Sequence, residues 1–299
     1  MRKLRIDSRN FSQALPALLM AVFCLALLPV HGSQLQRKLT SSNASPPSST
    51  YLGFDANDYP GDAPALSLKK KFSFAGYWLN NPPGASANSW SGRRAILREA
   101  GFGFLVLFNG RLDRELKNSA GPAALGANDA RIGAASARRE GFRSSVIIFL
   151  DLEEGGRMLP EQNAYIFAWI DGIIAAGFRA GIYCSGMPAS EGEGVSVITA
   201  VDIRSQAAGR EIAFFVYNDA CPPSPGCANP ARPPKPSASG VPFASVWQFA
   251  QSPRRRAFTK HCSSTYSSDG NCYAPGSGPG SPFLDLDSAT SPDPSHGRD

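Results

Sequence analysis

The chain has 299 residues, a formal net charge of +6, and 42% hydrophobic but only 18% charged residues. This length and apolar content suit one large α/β domain better than two small ones. Basic residues are not interleaved with aromatics as in a nucleic-acid surface, so nucleic acid is not an expected partner.

Arg2, Lys3, Arg5 and Arg9 form a basic start, the stretch from Ala14 to Val30 is apolar, and Val30-His31-Gly32 resembles a small-residue cleavage site. Residues 1–32 therefore read as a secretory signal peptide, with an uncleaved membrane anchor as the alternative. Cys24 sits inside the apolar stretch, which argues against lipid attachment there. The remaining chain would be secreted or periplasmic, touching a membrane only during export. Without the leader the chain is only mildly basic, a charge suited to an anionic cell-wall polymer. Arg254-Arg255-Arg256 is the one tight basic run and reads as a solvated loop, with contact to an acidic ligand as the alternative.

Residues 33–50 are rich in Ser, Asn, Pro and Gln and read as a flexible linker. The domain is expected over residues 51–290, followed by a disordered tail at 291–299. Tyr51-Leu52-Gly53-Phe54-Asp55 is a first strand, Phe72 to Leu79 a second and Gly103 to Phe108 a third, with a helix through Ser91 to Ala100 between the last two. Ala123 to Glu140 has helical composition, and Ser145 to Asp151 is the fourth strand. Ile166, Trp169, Ile170 and Ile173 recur at helical spacing within Pro160 to Ala176, and Gly177 ends that helix. Phe178 to Cys184 is the fifth strand, Val195 to Ala208 a helix, and Ile212 to Tyr217 the sixth strand. A Pro-rich loop runs from Asn218 to Val241. Ala244 to Phe249 and Phe283 to Asp287 complete the set. This alternation implies a parallel sheet, and its arithmetic is that of a (β/α)8 TIM-like barrel, possibly irregular; an open doubly wound sheet is the rival, although no Gly-rich phosphate loop follows any strand.

Cys221 with Cys227 and Cys262 with Cys272 look like local loop staples, though spacing alone does not fix connectivity. Cys184 is left over as a buried thiol. His261 is the only histidine near the expected core, so neither cysteine catalysis nor a metal site is expected, and no cofactor is required.

The most informative run is Val146-Ile147-Ile148-Phe149-Leu150-Asp151-Leu152-Glu153-Glu154, an apolar strand that ends in carboxylates. Asp151 and Glu153 share one strand face, and such a pair can supply a proton donor and an anion. A solvated acidic turn is the plain alternative. In a barrel the other strand ends would add Asp55, Asn80, Asn109, Tyr183, Tyr217, Trp247, Gln248 and Asp285 to the same rim. Aromatic faces, amides and carboxylates together suit a sugar.

Gly53-Phe54-Asp55, Phe149-Leu150-Asp151-Leu152-Glu153, Gly181-Ile182-Tyr183-Cys184-Ser185-Gly186 and Val246-Trp247-Gln248-Phe249 resemble the glycoside hydrolase family 25 lysozymes. They are closer still to the glycoside hydrolase-like domain DUF1906, the Rv2525c-like group. The resemblance implies a modified TIM barrel that cleaves or binds peptidoglycan or a related cell-wall polysaccharide; separately, a monomer is expected. It implies Glu153 as general acid, kept protonated by the negative charge of Asp151. Asp151 would stabilise positive charge on the sugar or orient its acetamido group, and Asp55 would support from the opposite rim. The loops Tyr59 to Asp62 and Pro82 to Trp90 depart from the lysozyme pattern. A non-catalytic glycan-binding barrel and a cation-binding partner protein are the competing readings.

Overall fold

A computed structural model describes residues 49–119, 121–218, 232–250 and 284–299. The signal peptide, most of the linker, Arg254 to Arg256, His261 and both expected cysteine staples lie outside the described residues.

Eight strands close into a barrel in the order β1-β10-β9-β8-β5-β4-β3-β2. They are β1 (Tyr51–Asp55), β2 (Phe74–Trp78), β3 (Gly103–Asn109), β4 (Ile147–Asp151), β5 (Arg179–Ser185), β8 (Ile212–Tyr217), β9 (Val246–Ala250) and β10 (Asp285–Ala289). Crossovers carry α1 (Asp62–Leu68), α2 (Arg94–Glu99), α3 (Asp113–Lys117), α4 (Pro122–Arg139), α5 (Pro160–Ala175) and α6 (Thr199–Ser205). The expected TIM-like barrel is therefore the observed fold, and its irregularity has a definite place. The strand β10 runs antiparallel to both of its neighbours, β1 and β9. No strand alternation in the sequence signals that reversal.

The interior of the barrel is a packed core. Phe74, Phe149 and Phe215 fill it, while Phe54, Phe104, Trp169 and Trp247 are buried outside the strands; all are nearly inaccessible. The expected helix stop at Gly177 is realised with φ of 86°, a left-handed conformation that glycine adopts without a Cβ penalty. At the N-terminus of α5, Pro160 occupies the first turn and the Gln162 side chain accepts a hydrogen bond from Leu159 N at 2.8 Å.

Two sequence expectations are corrected. The helix expected over Val195 to Ala208 is shorter, because its first residues instead form a hairpin of β6 (Pro188–Ser190) and β7 (Ser196–Ile198). Alternating Val195, Val197 and the turn glycines Gly192 and Gly194 favour the strand. The tail at 291–299, expected to be disordered, is folded beneath the barrel. Ser295 N donates to Phe104 O (2.8 Å), Ile147 N donates to Ser295 O (2.9 Å) and Val106 N donates to Ser295 Oγ (2.8 Å). Arg94 reaches Gly297 O at 2.7 Å, and Phe104 N donates to Asp293 Oδ1 at 2.7 Å. The β3–β4 pairing begins only at Val106 and Ile148, so the tail satisfies backbone groups below that point. Its polar composition disguised this role, because its contribution is hydrogen bonding to strand ends rather than apolar burial.

Ser295→Ala leaves the buried Val106 N–H without an acceptor. The expected cost is about 1–3 kcal/mol, or roughly 2–4 °C in Tm per kcal/mol, read by thermal unfolding followed by circular dichroism. An unchanged Tm would show that the tail does not support the strand starts.

Candidate active site

The mouth of the barrel gathers its acids from both ends of the chain. In a parallel pair, residues in register sit side by side on one sheet face. The pairs Asn109↔Asp151, Asp151↔Tyr183 and Tyr217↔Gln248 therefore form a row along one rim. Across the antiparallel seam, Asp55 faces Asp285, while Asp287 faces Gly53 on one side and Gln248 on the other. Because β10 is reversed, Asp285 lies at the start of its strand and still reaches the mouth. Asp287 sits one layer deeper and is completely buried.

Asp55 is held from several directions. Gln248 Nε2 donates to Asp55 Oδ2 at 2.7 Å, and Tyr183 Oη donates to Gln248 Oε1 at 2.7 Å. The Gln248 amide is thus fixed in orientation and hands a donor to the carboxylate. A Cβ on Gly76 would lie 2.6 Å from Asp55 Cβ, so glycine there makes room for the acid. Just after Asp55, the Ala56 carbonyl accepts from the indoles of Trp78 and Trp90, each at 3.1 Å. Asn57 Nδ2 donates to Pro83 O at 2.9 Å. The Pro82 to Trp90 loop therefore clamps the chain that carries Asp55. No pattern in the sequence points to Trp90 as a buried clamp.

Burial dominates the charge states. Asp55 is pushed up to about 8 by burial and then by the charge of Asp285, with the Gln248 and Asp287 hydrogen bonds pulling against the shift. Among the described residues, no N–H or hydroxyl group reaches either oxygen of Asp287 or of Asp151. A buried carboxylate without donors is costly, so both hold protons, and burial is the first cause of their raised pKa values. Each then becomes a donor to a neighbouring carboxyl: Asp287 to Asp55, and Asp151 to Glu153.

This reverses one expectation. Glu153 is raised, as a general acid requires, but the cause is the surrounding protein; its hydrogen bond with Asp151 acts in the opposite direction. Solvent reaches the Glu153 side chain at the rim, whereas Asp151 is only 3% exposed. The buried acid holds the proton, and the accessible one receives its hydrogen bond. Glu154, one residue on, is engaged elsewhere, with Oε2 accepting from Asp113 N (2.7 Å) and Gln162 Nε2 (3.0 Å).

The other expected residues divide. Tyr183 and Gln248 belong to the cluster, Asp285 joins it through Asp55, and the register sets Tyr217 beside Gln248. Trp247 does not belong. It alternates to the opposite sheet face from Gln248, is fully buried, and donates its indole N–H to Asn218 O at 2.9 Å. It is core, not a sugar platform. Asn80 and Asn109 buckle two strand ends together: Asn80 Nδ2 donates to Asn109 O at 2.9 Å, Asn109 N donates to Asn80 Oδ1 at 2.7 Å, and Asn109 Nδ2 donates to Asn81 O at 2.9 Å. Asp287 follows Asp285 at period-two spacing and lies one layer below it, where burial raises its carboxyl. Cys184 is buried and free as expected, and burial pushes its thiol up. Among the described residues no three His, Cys, Asp or Glu side chains converge to hold a metal ion, and no helix is long and apolar enough to cross a membrane.

No family model and no curated protein matches the chain. Solved structures do. An uncharacterized protein of B. stearothermophilus is 16% identical over 79% of this chain and 94% of that one, with a TM-score of 0.47. The Tat-secreted protein Rv2525c of Mycobacterium tuberculosis is 13% identical over 82% and 96%, with a TM-score of 0.45. The catalytic domain of endolysin ply40, from a bacteriophage of Listeria monocytogenes, is 13% identical over 83% and 97%, also at 0.45. Likeness at this level is one of outline and assigns no chemistry.

Asp55 titrates near 4 in the unfolded chain and near 8 when folded, so between these values the unfolded state gives up the proton first. The contribution of Asp55 to stability is therefore full in acid and is lost as pH rises from about 4 to 8. Asp55→Asn keeps the shape and removes the ionisation. It is expected to flatten that decline and to raise Tm at pH 8 relative to the parent, with little effect at pH 4. Equal slopes for the parent and the variant would show that Asp55 is not held protonated.

Proposed function

We propose that this chain is an exported glycoside hydrolase that cleaves peptidoglycan or a related cell-wall amino-sugar polymer. The observation that carries the reading is the Asp151–Glu153 pair at the mouth of a barrel, one acid inaccessible and the other accessible, both raised first of all by burial. Export rests on the N-terminal signal pattern of Arg2 to Gly32.

In this reading Glu153 gives its proton to the glycosidic oxygen as the C–O bond breaks and its electron pair moves to that oxygen. The proton of Asp151 then hydrogen-bonds to the new Glu153 carboxylate and limits the charge left at the rim. Positive charge develops on the sugar ring toward the Asp55–Asp285 side, where ionisation of Asp55 becomes favourable as the cation forms. The Gln248 amide and the protonated Asp287 are already aimed at Asp55, so little reorganisation is needed at that moment. Attack by water yields the free hemiacetal, and the proton it releases restores Glu153.

The alternative of a purely glycan-binding barrel loses support. Trp247 is buried, and the amides of Asn80 and Asn109 are used by strand ends rather than offered to hydroxyls. A binding platform has no use for two protonated acids buried beneath two others.

Glu153→Gln is expected to lower the release of soluble reducing ends from purified cell wall by about 10²–10⁴-fold with no loss of fold. For the parent, the alkaline limb should lie above the ordinary carboxyl range, because turnover is lost as Glu153 gives up its proton. Full activity in the Gln variant would remove Glu153 from the acid role.

A further inference from the structure

The opposite end of the barrel carries a second cavity. Two adjoining hollows of about 420 and 180 Å³ share Arg179, Ala213, Phe214 and Phe243. They lie at the starts of β5 and β8, whereas the acids of β1, β4 and β10 lie at the opposite end of the barrel, level with the far end of β5. The separation is that of a seven-residue strand, roughly 20 Å. In the described part of the β8–β9 crossover, the 3-10 turn Pro236–Ser239 is followed by Phe243, which is half-buried beside the strand starts.

Its charge is opposite to that of the mouth. Arg179, Arg204 and Arg210 line the larger hollow, and Glu211 is the one carboxylate there among the described residues. Arg210 is already paired, its Nε and Nη2 donating to the two oxygens of Asp171 at 2.7 and 2.8 Å. Arg179 and Arg204 make no ion pair among the described residues. Arg204 lies over the Phe243 ring at 4.0 Å from its centroid, and Phe214 meets that ring edge-on at 5.0 Å. Stacking fixes the plane of a guanidinium while leaving its in-plane N–H fork free, the arrangement that suits bidentate recognition of an oxyanion. Ser245, Thr290 and Ser291 add hydroxyl-bearing residues along the smaller hollow.

We propose that this groove is a second saccharide site, specific for an acidic sugar whose carboxylate or phosphate is held by Arg204 and Arg179. The combined hollow falls in the size range of small-ligand sites and suits one or two sugar rings. The exposed large hydrophobic residues, such as Leu66, Ile132 and Ile174, are not in its lining, so it lacks the apolar anchor that a lipid surface would need. The site does not depend on the chemistry assigned to the mouth. Its effect would be to hold an anionic polymer at one end of the barrel while the acids at the other end remain free.

The full chain is titrated by isothermal calorimetry with a uronic acid trisaccharide, a hexose 6-phosphate, a neutral trisaccharide and an acidic hexapeptide. One or both acidic sugars are expected to bind with a Kd of roughly 10 μM to 1 mM, weakening as salt rises; the neutral sugar should not bind. Whichever acidic sugar binds identifies the oxyanion. Arg204→Gln and Arg179→Gln should each weaken binding about tenfold. Arg204→Lys, which keeps the charge and loses the fork, should fall between Arg204→Gln and the parent. Glu153→Gln should bind as the parent does, which separates failure here from failure at the mouth. Absence of binding by both acidic sugars, unchanged affinity in the Arg179→Gln/Arg204→Gln double variant with Tm preserved, or tighter binding of the peptide would each overturn the proposal.

Discussion

Everything at the mouth depends on how the barrel closes. Seven strands run parallel, and the eighth, β10, enters in reverse between β1 and β9. A strand delivered in the ordinary sense would present its last residues to the rim. The reversed strand presents its first ones, setting Asp285 opposite Asp55 and leaving Asp287 a layer below, against Gly53 and Gln248. Antiparallel pairing thus joins acids from the two ends of the chain, some 230 residues apart in sequence.

Packing carboxyl groups together in a poorly solvated place would ordinarily destabilise a fold. This one answers with protons rather than cations. Among the described residues, Asp151 and Asp287 have no amide or hydroxyl donor, and each faces another carboxyl. The arrangement stays neutral where it is buried and leaves its ionisable members, Glu153 and Asp55, where a ligand can shift their balance. Rigidity comes from outside the ring of acids. Two indoles hold the Ala56 carbonyl, and Tyr183 orients the Gln248 amide.

The two ends of the barrel have opposite character. Strand ends bear acids at the mouth, while the last turns of α2, α4 and α6 carry Arg98, Arg138, Arg139 and Arg204 near the strand starts. Cations at helix C-termini complement the helix dipole, so part of that pattern is ordinary stabilisation. What exceeds it is the groove, where Arg204 sits over the Phe243 ring and Arg179 belongs to a strand rather than a helix. The folded tail occupies the same end, with Thr290, Ser291 and His296 forming one wall of the smaller hollow.

Local periodicity and turn chemistry made the eight barrel strands, the longer helices, the barrel class, the helix stop at Gly177 and the acidic end of β4 legible, but not α1, α3 or the β6–β7 hairpin. The sequence also brought Asp55, Asp151, Glu153, Tyr183, Gln248 and Asp285 to attention, since strand ends in a barrel share one rim. Only the tertiary structure decided the rest. Whether Trp247 faces the sugar or the core depends on strand parity around the closed ring. The reversal of β10, the Trp90 clamp and the anchoring of Ser295 between β3 and β4 are contacts between segments remote in sequence, and local pattern carries no record of them. The proton on Asp151 is of the same kind. Its location is set by which of two neighbouring acids the fold shuts away from water, and that is a property of the folded barrel rather than of the dipeptide spacing.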